Sequence, residues 1–348
     1  MGYTSGFRWD EKAIERLNRL LKLGLTRKEI TREMGVTYDS LDGAIKRYGL
    51  SLKIQHDKLE VPDGLEFPSA EKLINYLQKG HELIREFDPR QREVFPEYNT
   101  KKWIGIVAGG DWHFDHYKTD LRALREDLKN IGEQEEVFYI HNGDVGDWGD
   151  IRFKFLNMPS VYLPIKQRYE LILHLVSQIK NLLAITAGCH DDWLKNRGFY
   201  DIVEEIKKKQ NELGIPTYYL GYGGTINFKV GKATYRIASY HKFGYESQNN
   251  DFNPNQNYLK KQDATADIVV VSHRHDKVGI SYQYYQHTPR IFVRTGSHQY
   301  LTDYAWKEGF SGAIARWPMI LLNGKEKRML AMPDYKEGLE ELRRLNRE

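Results

Sequence analysis

The chain has 348 residues, more than a typical single domain, with 40% hydrophobic and 13% aromatic residues, a composition that suits a sizeable core and excludes disorder. Its formal net charge of +4, with no basic block, gives little non-specific attraction for polyanions. No apolar stretch reaches the length of a membrane span, the opening MGYTSGFRWD lacks a signal-peptide segment, and the single cysteine, Cys189, leaves no intrachain disulfide, so a cytoplasmic, reducing setting without a membrane partner is expected.

In chain order, Asp10 caps a first helix whose apolar positions Ile14, Leu17, Leu20 and Leu21 recur at helical spacing, and Gly24 breaks it. Thr26 and Glu29 make a capping-box pattern that starts a second helix, TRKEITREM, ending at Gly35. A third helix runs from Thr37 through Tyr48. Two short helices joined by a tight turn, after a supporting helix, match a helix-turn-helix pattern, so residues 1–50 are expected to form a small all-α domain. Thr37, Tyr38, Ser40, Lys46 and Arg47 on the third helix are the candidates for entering a major groove. Asp39 and Asp42 share that helix and would repel phosphates, which keeps protein docking open as the alternative.

Residues 51–100 read as a linker with Pro62, Gly64 and Pro68, then a connecting helix from about Ser69 to Phe87, punctuated afterwards by Pro89 and Pro96. Beyond it, five apolar runs read as strands: WIGIVA, EVFYIH, LLAITA, TYRIASY and DIVVV. Each is followed at once by a segment rich in carboxylate or imidazole: Asp111-Trp112-His113, Gly143-Asp144-Val145-Gly146-Asp147, Gly188-Cys189-His190-Asp191, a lone His241, and Ser272-His273-Arg274-His275. Groups so far apart in sequence meet only where strand ends converge, as at the carboxyl ends of open α/β sheets. Mixed oxygen and nitrogen donors suit Mn²⁺, Fe²⁺ or Zn²⁺. The pattern is that of a metallohydrolase. The last residues, 336–348, are a charged tail read as a solvated terminal helix.

The order D-x-H, G-D-x-x-D, G-N-H-D, H, G-H-x-H resembles the signature of the calcineurin-like metallophosphoesterase superfamily, over roughly residues 101–335. Cys189 stands where the family has Asn, and Ser272 where it has Gly. The resemblance implies a two-sheet α/β sandwich flanked by helices, and two divalent metal ions, Mn²⁺ first, with Zn²⁺ or Fe²⁺ as alternatives. It implies Asp111, His113 and His275 at one metal, His241 and His273 at the other, and Asp144 bridging both. His190 would contact phosphate and protonate the leaving oxygen, with Asp191 holding its imidazole protonated. Asp147 would support the loop.

Cys189 could ligate as thiolate, act as a small spacer, or mark an impaired second site; the ligand reading is carried forward. Arg274 could contact a phosphate or face solvent. His116, His141 and His298 read as ordinary loop histidines, His298 being the one to face substrate. Trp112, Tyr117, Trp148, Trp193, Tyr240, Tyr245, Tyr300, Tyr304 and Trp306 could stack on bases, although packing suits most of them better. The expected function is a metal-dependent phosphodiesterase acting on nucleic acid, DNA before RNA, in a phage or prophage module whose residues 24–50 resemble phage and bacterial regulators. A phosphomonoesterase, or a DNA-binding scaffold with an impaired metal site, are the alternatives. The sequence leaves the oligomeric state open.

Overall fold

In the N-terminal part the helices begin where side chains satisfy their free amides. The computed structural model describes residues 7–22, 25–50, 69–86, 90–148, 163–196 and 200–347, and divides into two units, Met1–Glu86 and Phe87–Glu348. The Gly24 break, the linker at 51–68, Phe87 and Pro89 lie outside the described residues. In the first unit, Asp10 accepts the Ala13 amide at 2.9 Å and opens α1 (Glu11–Lys22). Thr26 and Glu29 cap each other's backbone at the start of α2 (Arg27–Met34), which ends on Gly35 at φ 65°. Thr37 caps α3 (Tyr38–Arg47). Leu17, Leu21, Ile30, Met34, Val36, Leu41 and Ala44 close a small core among these three helices. A fourth helix, α4 (Ala70–Glu86), belongs to the same unit.

The second unit opens with two short strands, β1 (Glu93–Val94) and β2 (Glu97–Tyr98), then β3 (Trp103–Gly109), α5 (Leu121–Gly132), β4 (Val137–Asn142) and α6 (Ile165–Val176). It continues with β5 (Leu182–Thr186), α7 (Cys189–Lys195), α8 (Ile202–Glu212), β6 (Tyr218–Tyr219), β7 (Gly223–Val230), β8 (Ala233–Tyr240) and α9 (Asn253–Lys261). The last elements are β9 (Ile268–Val271), β10 (Gly279–Tyr285), β11 (Thr288–Arg294), α10 (Asp303–Lys307), β12 (Met319–Asn323), β13 (Met329–Met332) and α11 (Tyr335–Leu345).

These strands form two mixed sheets. One has the order β13-β12-β3-β4-β5-β6, the other β1-β7-β8-β9-β11-β10, with β2 also on β7. β3, β4, β5 and β6 run parallel, with Val107 opposite Tyr139, whereas β12 is antiparallel to β3. In the other sheet β8, β9 and β11 are parallel. Period-two alternation explains the layering. Ile104, Ile106 and Ala108 of β3 face the other sheet and pack with Ile226, Phe228, Ile237 and Val270. Trp103 and Val107 point the opposite way, onto Leu124, Leu128, Ile172, Ile206 and Leu339 of the flanking helices. Strands covered on both faces read as continuous apolar runs, which is why WIGIVA shows no alternation in sequence.

The C-terminal segment departs from its expectation. It is a helix, but not a solvated one: Tyr335, Leu339 and Leu342 are buried in the same core as Trp103 and Met319. Their spacing of four and three residues makes an apolar stripe under the charges, and long Glu, Lys and Arg side chains on the other face hide it from composition.

Candidate metal centre

Five strand ends bring the candidate ligands together: β3 and β4 and β5 from one sheet, β8 and β9 from the other. The backbone there is unusual. Asp111 (φ 50°), His113 (φ 42°), Asp144 (φ 53°) and His273 (φ 74°) all sit in the left-handed region, which non-glycine residues enter at a cost. Two glycines let the loops interlock. A Cβ on Gly143, itself at φ 80°, would lie 2.6 Å from Gly188 Cα. One on Gly188 would collide with Asp144 Oδ1. Ser272, in contrast, is not among the residues with positive φ, and its hydroxyl bonds Thr295 Oγ1 at 2.5 Å, so a side chain is accommodated there.

The side chains converge in two clusters. In one, His275 Nε2 lies 3.2 Å from His113 Nε2 and 3.5 Å from Asp111 Oδ1. In the other, His273 Nδ1 lies 3.2 Å from His241 Nε2 and 4.0 Å from Cys189 Sγ. Within each trio the donor atoms lie within 4.8 Å of one another. Asp144 stands between them, with Oδ2 at 3.2 Å from His241 Nε2 and 3.9 Å from His113 Nε2. His241 Nδ1–H donates to the Asn142 carbonyl at 2.8 Å, so Nε2, 3.2 Å from Asp144 Oδ2, is the nitrogen turned to the centre. Asp111 Oδ1 is buried with no hydrogen bond among the described residues. A buried carboxylate oxygen left in that state calls for a cation. The donor set therefore fits divalent metal ions.

Electrostatics follow the same geometry. Burial alone would raise the Asp144 carboxyl, but His241, His190 and His113 outweigh it and hold the pKa well below the usual range. His190 is disfavoured as a cation by burial, yet Asp144 and Asp147 raise it to about 10. Burial, reinforced by His241, pushes His273 down to about 3, leaving the neutral imidazole that metal binding requires.

Asp147, not Asp191, is the partner of His190. His190 Nδ1 donates to the Asp147 carbonyl at 3.0 Å and lies 3.1 Å from its Oδ1. Asp191 is the third residue of α7, so its carboxylate turns back to accept the Gly188 amide at 2.9 Å, and it also accepts the Asp144 amide at 2.8 Å. The Trp148 indole N–H donates to it at 3.0 Å. Burial and the charge of Asp144 push its pKa up to about 6. Adjacency in sequence is misleading here, because successive residues of a helix point in different directions.

His298 does not face a substrate. It is 2% exposed, its Nε2 lies 2.8 Å from Asp127 Oδ2, and its ring packs edge-on against Trp317. Tyr335 of α11 donates to the same Asp127 at 2.6 Å. His141 is likewise no loop residue: it lies in β4 against Trp112, with its pKa pushed down to about 3 by burial. His116 accepts the Lys118 amide at 3.1 Å. Arg274 forms a two-pronged pair with Asp276 at 3.0 and 2.9 Å and lies over Phe310. Trp112 and Trp148 are core residues, whereas Tyr117, Tyr245, Tyr300 and Trp306 are exposed.

In the N-terminal unit, Tyr38, Lys46 and Arg47 are exposed. Thr37 Oγ1 accepts the Ser40 amide and Ser40 Oγ accepts the Trp9 indole N–H, so both hydroxyls serve the fold. Three further residues shape the centre without having stood out in the sequence. The Asp115 side chain is buried; it accepts the Asp147 and Trp148 amides and pairs with Arg168 at 2.9 Å. Asn142 fixes His241, and Ser297 Oγ donates to the Asp111 carbonyl at 2.6 Å. The D-x-H-F-D and H-N-G-D spacings were the available signals for the first two.

A family model described as calcineurin-like phosphoesterase matches residues 105–304. Among solved structures, Vps29 of Chaetomium thermophilum aligns at 10% identity over 66% of this chain and 94% of its own, with a TM-score of 0.31. GAP50, the anchor in the inner membrane complex of Plasmodium, aligns at 12% identity over 70% of this chain and 95% of its own, with a TM-score of 0.33. Likenesses at that level carry no functional argument. No curated protein matches the sequence. Among the described residues, no helix is long and apolar enough to cross a membrane.

Proposed function

The chain belongs to the calcineurin-like phosphoesterase family, and from that premise we propose that it is a two-metal phosphodiesterase acting on nucleic acid, a nuclease directed to DNA by its N-terminal helices. The observation that carries the reading is Asp144, one carboxylate oxygen standing 3.2 Å and 3.9 Å from imidazoles of two separate donor clusters. Two divalent cations held by Asp111, His113 and His275 on one side and by His241 and His273 on the other, sharing Asp144, would neutralise phosphoryl oxygens and activate water near neutral pH. Mn²⁺ is the first choice, with Zn²⁺ and Fe²⁺ as alternatives.

The remaining work falls to side chains outside the two clusters. Asp147 engages His190 through Nδ1, so Nε2 is the nitrogen that gives its proton to the leaving oxygen. Asp191 keeps the Asp144 and Gly188 amides in place, and thereby keeps the shared carboxylate between the clusters. For the nucleic-acid part, Tyr38, Lys46 and Arg47 on one short helix suit a phosphate backbone. Exposed Tyr117, Tyr300 and Trp306 suit stacking on bases. A cytoplasmic, phage- or prophage-type setting accompanies this reading.

The test is turnover of bis-p-nitrophenyl phosphate against p-nitrophenyl phosphate with Mn²⁺, followed by single- and double-stranded oligonucleotides. Preference for the diester and cleavage of an oligonucleotide support the proposal. Turnover of the monoester alone replaces it with a phosphomonoesterase. No turnover with any cation, together with DNA binding, replaces it with a scaffold.

A further inference from the structure

We propose that Cys189, His241 and His273 form a thiolate–imidazole half-site for zinc, so that the two halves of the centre differ in metal preference. The inference deepens the two-cation reading above and rests on it.

The distances favour a shared ion. Zinc takes nitrogen at about 2.0–2.1 Å and sulfur at about 2.3 Å, so donors on one tetrahedral ion stand about 3.3 Å (N to N) and about 3.6 Å (S to N) apart. His241 Nε2 and His273 Nδ1 are 3.2 Å apart, and Cys189 Sγ is 4.0 Å from His273 Nδ1. The shortfall is a few tenths of an ångström, which a small rotation of the thiol supplies.

The surroundings hold these atoms in place. Cys189 is the first residue of α7, between the Gly188 amide on Asp191 and the His190 amide on Asp144 Oδ1 at 2.8 Å. His241 is fixed through Nδ1 by the Asn142 carbonyl, which turns Nε2 towards the site. Three protein donors with a further position left for solvent or a shared carboxylate is the usual plan of a catalytic zinc site.

The two halves differ in softness. The partner half, Asp111, His113 and His275, has oxygen and nitrogen donors only. A thiolate sharpens the preference for zinc over Mn²⁺, whereas a carboxylate with imidazoles discriminates less between the two. On binding, the thiol gives its proton to solvent and the sulfur lone pair makes the bond to the metal. Cys189 is the only cysteine of the chain, so any sulfur signature has one source.

The experiment strips the full-length protein with chelator and reloads it with Co²⁺, Zn²⁺ or Mn²⁺. A thiolate-to-cobalt charge-transfer band in the near ultraviolet, absent in Cys189→Ser, supports the proposal. So does alkylation of the thiol slowed by about tenfold or more with Zn²⁺ bound and fast again after chelation. Elemental analysis after adding one equivalent of Zn²⁺ with Mn²⁺ in excess should then find the Zn²⁺ retained by the wild-type chain and less of it by Cys189→Ser. Two cations bound without the band and with unaltered alkylation would overturn the thiolate half-site and leave the two-cation reading standing. No cation bound at all would overturn both. The alkylation measurement uses the wild-type chain, so it decides even if Cys189→Ser fails to fold.

Discussion

Asp147→Asn tests whether the His190 proton is controlled by the carboxylate that the structure sets beside it. His190 Nδ1 lies 3.1 Å from Asp147 Oδ1. At that separation and an effective dielectric of about 20, the charge pair is worth about 5 kcal/mol at most. Asn keeps the size of the side chain and the bond to the Asp147 carbonyl, and removes only the charge. Asp144 remains nearby, so part of the support survives, and loss of one opposite charge moves a pKa by about 1–3 units.

Against burial, Asp144 and Asp147 raise His190 to about 10 in the metal-free chain. The variant should therefore titrate lower, at about 7–9. At about pH 8.5 the wild-type ring should therefore still be protonated in the metal-free protein, and the variant should show a larger neutral fraction. The assay is NMR titration of the ring in metal-free protein. Because the folded pKa lies above the unfolded value of 6.5, the pair stabilises the metal-free fold fully below that pH, and the contribution is lost as pH rises through about 10. Superimposable titration curves for wild type and Asp147→Asn would refute the reasoning.

His190→Ala should keep its cations and lose about 10²–10⁴ in kcat on alkyl diesters, with a smaller loss on p-nitrophenyl esters, whose leaving group hardly needs a proton; loss of metal would contradict the role. Leu342 is 4% exposed in the main core, so Leu342→Ala should cost about 2–5 kcal/mol in urea denaturation. A cost near zero would return α11 to solvent. Replacing Lys46 and Arg47 together by Ala in the full chain should weaken duplex DNA binding and flatten the log K against log salt slope by about 2. Unchanged affinity and slope would make α3 a protein-docking helix.

The strands and the loops that follow them were legible because a buried strand must be apolar and its exit must carry whatever chemistry the site needs. Each of the five motifs sits at the end of a strand, and Thr26 with Glu29 forms the capping box that their spacing implied. What stayed hidden depends on direction in space. Asp191 follows His190 in sequence, yet one residue along a helix turns its carboxylate to the Gly188 amide, while Asp147 reaches the imidazole from another loop. His298 sits among polar loop residues, but its partner Asp127 comes from α5, far away in sequence. In α11 the apolar stripe of Tyr335, Leu339 and Leu342 is outnumbered by charges, so composition pointed outward where periodicity points inward.

The central claim is that Asp144 joins two cations into one phosphodiesterase centre, and Asp144→Asn measures it most directly when bound metal and diester turnover are read on the same sample. The account predicts two cations per wild-type chain with turnover. It predicts a folded variant with weakened binding of both cations and turnover abolished, because the shared carboxylate stands within 3.2 Å and 3.9 Å of imidazoles from both clusters. A variant that keeps normal metal content and more than a small fraction of its activity would contradict it.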